Sequence, residues 1–192
     1  MEAAGNAEAR RLPPGSHGIP ADVVARNQRE RLVAAMAEVC AERGYAEASV
    51  AAVAKRAGVS SLTFYKQFAG KRDCMLVAHR QLLGRLLEEV DRAGAAESDE
   101  SARLRATIRA TLVVLAADAP SARLLTVEIL AAGEEGAKRN EAMVEAFADR
   151  LGTEWVRAAG ILALIGNRVM AGEAARLPEL EDELVATLSS QG

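Results

Sequence analysis

Apolar residues recur along this chain at helical rather than strand spacing. Leu32, Met36 and Cys40, with Val33 and Ala37 beside them, form one stripe, while Arg29, Glu30, Arg31, Glu38 and Arg43 face away. The helix begins near Ala21 and stops at Gly44, after which Tyr45 folds back on it. Ser49 is placed to cap a short second helix, Val50–Ala57, which Gly58 breaks. Ser60 caps a third, Ser61–Gln67. After an Ala69–Gly70 turn a fourth helix starts near Lys71 and runs to about Arg92. Two short helices joined by a tight glycine turn, following a longer one, make a helix-turn-helix arrangement.

The remainder also reads as helix. Ser98 caps a fifth, with Asp99 and Glu100 in its first turn and the stripe Leu104, Ile108, Leu112, Leu115. Pro120 suits the first turn of a sixth that ends at about Gly133. A seventh covers roughly Glu135–Arg150, an eighth about Glu154–Ala171, and a ninth about Glu179–Ser189. No strand pattern and no internal repeat interrupts them. The expectation is an all-α protein of about nine helices: a leader over residues 1–20, a helix-turn-helix domain over 21–70, and a helical bundle over 71–192.

Composition agrees with packed helices. Half of the chain is apolar, supplied mostly by Ala and Leu, and aromatics are 3%; an all-β protein would be richer in β-branched and aromatic residues. Cys40 and Cys74 are too few for a disulfide framework, and read either as buried small hydrophobes or as a redox switch. His17 and His79 have no company that would hold a metal. No apolar run approaches a membrane span, and the N-terminus lacks the apolar core of a secretion signal, so a cytoplasmic protein is expected. Net charge is −3, but residues 1–80 carry +4 and residues 81–192 carry −7. Ala48–Arg72 has no acidic residue, holds Lys55, Arg56, Lys66, Lys71 and Arg72, and contains or adjoins four of the six aromatics. Such a patch either meets a polyanion or is a solvated basic face.

The third helix separates these readings. At about 100° per residue, Phe64 and Phe68 point one way, with Leu62 and Lys66 opposite, flanked by Thr63 and Tyr65. A solvated helix seldom exposes leucine and tyrosine beside a lysine. A helix in a DNA major groove does: lysine donates to guanine, hydroxyls reach base edges or phosphates, and apolar groups meet the thymine methyl. Ser49 and Lys71 start the flanking helices, whose N-termini favour phosphate.

Ala51–Ser60, followed by Thr63–Phe64–Tyr65–Lys66–Gln67–Phe68 and Lys71, resembles the N-terminal domain of the tetracycline-repressor-like (TetR/AcrR) transcriptional regulators. The likeness runs from about Arg29 to Leu76 and includes Glu42–Arg43–Gly44–Tyr45. It implies that Tyr65, Lys71 and Ser49 hold phosphates, and that Ser60, Ser61, Leu62, Thr63 and Lys66 lie in or beside the groove. Ser61 and Leu62 depart from the family's habit of basic residues, or glycine at 62, which leaves the base preference open. Leu12–Gly18 is similar to a segment ahead of the first helix in some relatives. From there Arg10, Arg11, Arg26 or Arg29 reach DNA, or the tail is inert. Ala158–Ala171 and Leu177–Leu180 resemble the last two helices, which the family uses to dimerise.

In the C-terminal half, Met143, Phe147, Leu151 and Trp155 line a ligand cavity or belong to ordinary core. On the eighth helix Ala159, Ala163 and Gly166 share a face on which two axes can approach closely. With Leu180, Leu184 and Leu188 of the ninth helix they form a two-fold four-helix seam, unless this helix is simply the centre of a monomer. No phosphate loop, nucleophile elbow or metalloprotease motif is present, so no enzyme chemistry and no cofactor is expected. The expected partners are double-stranded DNA, a second copy of the chain and a small-molecule effector, with no membrane. The competing reading is a helical protein-interaction module without specific DNA binding.

Overall fold

The computed structural model describes residues 20–189. The leader, with Arg10, Arg11, the Leu12–Gly18 segment and His17, lies outside them. All regular structure among the described residues is helical: α1 (Ala21–Glu47), α2 (Val50–Ala57), α3 (Ser61–Gln67), α4 (Lys71–Ala95), α5 (Glu100–Ala117), α6 (Ala119–Thr126), α7 (Glu134–Leu151), α8 (Trp155–Met170) and α9 (Glu181–Ser189). Two 3-10 segments, Glu128–Ala132 and Ala174–Leu180, precede α7 and α9. The chain divides into two compact units whose boundary falls between Ala78 and His79, inside α4.

In the first unit α1 packs on α2, and α2 on α3, around Leu32, Met36, Val53, Phe64, Phe68 and Met75. Local chemistry fixes each turn. Gly44 breaks α1 with φ 78°, ψ 156°, and Tyr45–Glu47 add one turn beyond it. Ser49 Oγ accepts from the Ala52 N–H at 3.2 Å and Ser60 Oγ from the Thr63 N–H at 3.0 Å, satisfying donors that the helix ladders leave open. Between the two helices Gly58 sits at φ 64°, ψ 39°, the left-handed conformation that a tight turn requires. Cys40 and Cys74 are buried thiols, and burial pushes the Cys74 thiol up, away from the reactive thiolate.

The second unit packs α5, α7, α8 and α9 around Leu86, Leu112, Phe147, Ile165, Leu177 and Leu184. Three boundaries differ from the sequence reading. Asp99, not Ser98, caps α5: its carboxylate accepts from the Ala102 N–H at 2.8 Å, and Ser98 stands one residue too early to do so. The expected sixth helix is broken at Val127 (φ −124°, ψ −61°) into α6 and a 3-10 turn. The ninth begins at Glu181 rather than Glu179, because Pro178 lies inside a 3-10 segment and lacks an N–H to donate.

Candidate DNA-binding face and effector cavity

α3 is bolted to its unit by one face. Phe64 is fully buried, packs against Phe68 at 5.5 Å with the rings tilted by 45°, and meets Tyr65 edge-on at 5.6 Å. Arg29 closes the far end, donating to the Gln67 carbonyl at 2.6 Å while its guanidinium lies 4.4 Å from the Phe68 ring centroid. Arg29, which the sequence offered as an arm toward DNA, is therefore occupied in holding α3. The opposite face is open: Leu62 is 68% exposed and Tyr65 58%, with Ser60, Ser61 and Lys66 also exposed. Thr63 is half-buried, its hydroxyl 3.0 Å from that of Ser60.

The cations of the patch divide into two kinds. Arg56 is neutralised from α1, reaching both Glu42 oxygens at 2.6 and 2.7 Å and Glu38 at 3.0 Å. Lys71 turns back on α1: its Nζ donates to the Tyr45 and Ala46 carbonyls at 2.9 and 3.2 Å and lies 4.4 Å from the Tyr45 ring centroid. Two of its three donors are thus engaged before any phosphate arrives. Lys55, Lys66 and Arg72 remain exposed. Lys55 and Arg72 belong to the basic patch of the sequence, where charge alone does not separate them from the paired Arg56.

The second unit holds a partly open apolar cavity lined by Ile108, Thr111 and Leu112 of α5, Phe147 and Leu151 of α7, Ile161, Leu162 and Ile165 of α8, and Leu184 of α9. Its volume is about 10 Å³, room for about one water. Thr111 is the polar residue of the lining, and its hydroxyl is spent on the Thr107 carbonyl at 2.9 Å. Of the four residues expected around a ligand, Phe147 and Leu151 line the cavity, Met143 is buried core, and Trp155 is 46% exposed at the start of α8. Of the missed lining residues from α5, Ile108 and Leu112 lie in the stripe that periodicity marks as core without saying where core is incomplete, and Thr111 lies outside that stripe.

α8 shows a second open face. Val156, at 72% exposure, Gly160, Ala163, Asn167 and Met170 succeed one another at four- and three-residue steps, all exposed. Of the expected seam residues, Ala163 lies on this face and Ala159 on its half-buried flank. Gly166 turns inward, where an added Cβ would meet the Thr126 carbonyl at 3.4 Å. Leu180 and Leu184 are buried in the unit's own core, and Leu188 is half-buried.

Together these features define a helix-turn-helix unit whose α3 has one exposed face of mixed polar and apolar residues, followed by a helical bundle with a small apolar cavity. Residues 32–78 match the family model described as bacterial regulatory proteins, tetR family. A helix-turn-helix transcriptional activator, FasR of Mycolicibacterium smegmatis, is 30% identical over 123 residues, covering 64% of this chain and 51% of the relative. The fatty acid metabolism regulator protein of Bacillus subtilis is 28% identical over 88 residues, covering 46% of this chain and 45% of the relative. The chain thus spans about half the length of the curated relatives it matches. The crystal structure of FadR from Bacillus subtilis in complex with stearoyl-CoA shares the fold, with a TM-score of 0.73 at 20% identity over 84% of this chain and 97% of that one. The likeness to the tetR family of bacterial regulatory proteins is thus carried by the helix-turn-helix unit, residues 32–78. Among the described residues no group of three or more His, Cys, Asp or Glu is placed to hold a metal, and no helix is long and apolar enough to cross a membrane.

Proposed function

We propose that this chain is a transcriptional repressor that binds a palindromic operator as a homodimer and leaves it when a small molecule with a long apolar chain enters the C-terminal bundle. The observation that carries the DNA part is α3: a short helix anchored through Phe64 and Phe68 while Leu62, Tyr65 and Lys66 stand exposed beside Ser60 and Ser61. In this reading Lys66 and Leu62 meet base edges, Thr63, Ser60 and Ser61 lie in or beside the groove, and Tyr65, Ser49 and Lys71 hold phosphates. The open face of α8 around Ala163 supports a seam between two copies, to which the half-buried Leu188 of α9 is also assigned in this reading. Two recognition helices then stand about 34–36 Å apart, one turn of DNA.

The effector class is supported by the cavity's lining and by the stearoyl-CoA held by the Bacillus subtilis FadR relative. A void of about 10 Å³ cannot take an acyl chain, whose usual pockets are about 300 Å³ or more. Binding therefore requires α5, α7, α8 and α9 to move apart. That requirement is what makes the ligand a switch, because a ligand shifts an equilibrium only by its differential affinity for two shapes. A swing from 1:99 to 99:1 needs about 5.5 kcal/mol of it. Since α4 belongs to both units, it is the element through which the change would pass.

Anisotropy titrations of labelled duplex test the reading against a protein-interaction module. Phosphate neutralisation makes affinity fall steeply with salt, and Lys66→Ala should cost about 1–3 kcal/mol concentrated at one base position. Binding indifferent to salt, or equal binding by Lys66→Ala, would favour the interaction module.

A further inference from the structure

Beside the cavity, Arg105 and Arg109 of α5 converge on Glu181, the first residue of α9. Arg109 Nε and Nη2 donate to the two Glu181 oxygens at 2.8 and 2.7 Å. Arg105 Nη1 reaches Glu181 Oε1 at 2.9 Å and Asp182 Oδ1 at 2.7 Å. Glu181 is mostly covered, while both arginines stay substantially exposed. The Arg109 bonds, with those of Arg105 behind them and partial burial opposing, hold the Glu181 carboxyl down to about 2.

The placement of this cluster is what matters. On α5, Arg105 and Leu112 share an azimuth seven residues apart, and Arg109 follows Ile108, so both guanidiniums leave the helix within two turns of cavity residues. On α9, Glu181 stands three residues before Leu184, the residue that α9 contributes to the lining. The contact between α5 and α9, both of which contribute to the cavity lining, is thus fastened by two arginines on one carboxylate. Half-exposed ion pairs of this kind add little stability. Two arginines around one planar anion are, however, the arrangement by which proteins recognise carboxylates and phosphates.

We propose that Arg105 and Arg109 are the head-group site of the effector, taking the anionic head of a long-chain acyl ligand whose tail lies in the cavity, and that Glu181 occupies this site until the ligand displaces it. The proposal rests on the acyl-effector reading above and deepens it. Displacing Glu181 frees the start of α9 from α5, and Leu184 withdraws as the tail enters. Head-group capture and opening of the cavity are then one event. The shared chemistry is an anion on an apolar chain, whether a free carboxylate or the phosphates of a coenzyme A thioester.

Calorimetric titration of the full chain with stearate, stearoyl-CoA and stearyl alcohol tests it. Glu181→Gln removes the resident anion and should tighten the anionic probe by about tenfold, the scale of one charge-assisted hydrogen bond, while leaving the alcohol within about twofold. The double variant Arg105→Gln/Arg109→Gln should lose the parent's preference for an anionic head over the alcohol. Whichever of stearate and stearoyl-CoA responds identifies the source of the head. Equal tightening of the alcohol by Glu181→Gln would reduce the cluster to a latch and overturn the assignment. So would an anion preference that survives in the double variant. In both cases the acyl-effector reading stands. A parent that binds none of the three probes while still binding operator overturns the effector class and this inference together. Should the double variant fail to fold, the Glu181→Gln comparison decides alone.

Discussion

Gly136, in the first turn of α7, is the position where one added methyl should do most harm. A Cβ built there falls 2.1 Å from the Ile129 carbonyl oxygen and 3.0 Å from the Ala132 Cβ. Ordinary carbon–oxygen contacts begin near about 3.3 Å, so the overlap exceeds about 1 Å. The obstructing atom is backbone of the 3-10 turn Glu128–Ala132, beside a fully buried Ile129 side chain, and cannot swing aside. Glycine to alanine within a helix normally gains about 0.5–1 kcal/mol. Overpacking costs about 1–3 kcal/mol and sometimes more, and with no flexible neighbour the clash wins. Gly136→Ala should lose about 2 kcal/mol net, a fall of roughly 4–8 °C in Tm for a chain of this size. Gly84→Ala is the control: it is exposed in α4 with nothing within 4 Å of the added atom, and should gain about 0.5–1 kcal/mol. Thermal and urea unfolding followed by circular dichroism measures both. If Gly136→Ala matches the parent, the seating of α7 on this turn is wrong, and with it the positions of Phe147 and Leu151 in the cavity wall.

His79 is buried with neither ring nitrogen hydrogen-bonded, and burial, aided by Arg139, lowers its pKa from 6.5 to about 4. The unfolded chain therefore takes up a proton first as pH falls, and stability should drop between pH 6.5 and 4 by on the order of 3 kcal/mol at most; His79→Leu should flatten that slope in urea titrations across the range, and an unaltered slope would assign it to another group. Ala163 faces solvent in the single chain, so Ala163→Arg should leave helix content intact yet sediment as a monomer and lose operator affinity, because an unpaired charge in a seam costs several kcal/mol; a dimer of parental affinity would move the interface elsewhere. Lys71→Ala should do two things at once: weaken binding to all sequences with a salt slope lower by about one, and cost about 1 kcal/mol of stability through the lost Tyr45 and Ala46 carbonyl bonds. Unchanged stability would mean that those bonds do not persist in solution.

The first unit was legible because its signals are local. Ser49 and Ser60 cap within three residues, Gly58 turns where only glycine is comfortable, and the 100° repeat separates Phe64 and Phe68 from Leu62 and Lys66. What escaped were decisions made by distant partners. Lys71 binds carbonyls 25 and 26 residues earlier, and Arg56 is claimed by Glu38 and Glu42 of another helix. Nothing in the periodicity distinguishes those cations from Lys66. In the second unit α8 is apolar on most sides, so its sequence could not say which of Gly166 and Ala163 turns inward; the Thr126 carbonyl decides it. Trp155 falls at the start of α8, as the sequence pattern already has it, but the pattern could not say that its side chain there is exposed rather than turned into the cavity.

The central claim is that α3 reads DNA in a two-fold complex. Selection of genomic fragments on the immobilised full chain, followed by footprinting of those enriched, addresses it directly. The expected result is an inverted repeat whose half-sites lie about 10–10.5 base pairs apart or a multiple of it, protected by the parent and lost together in Lys66→Ala. Enrichment of no sequence above salt-sensitive background, or a footprint that Lys66→Ala leaves whole, would contradict it.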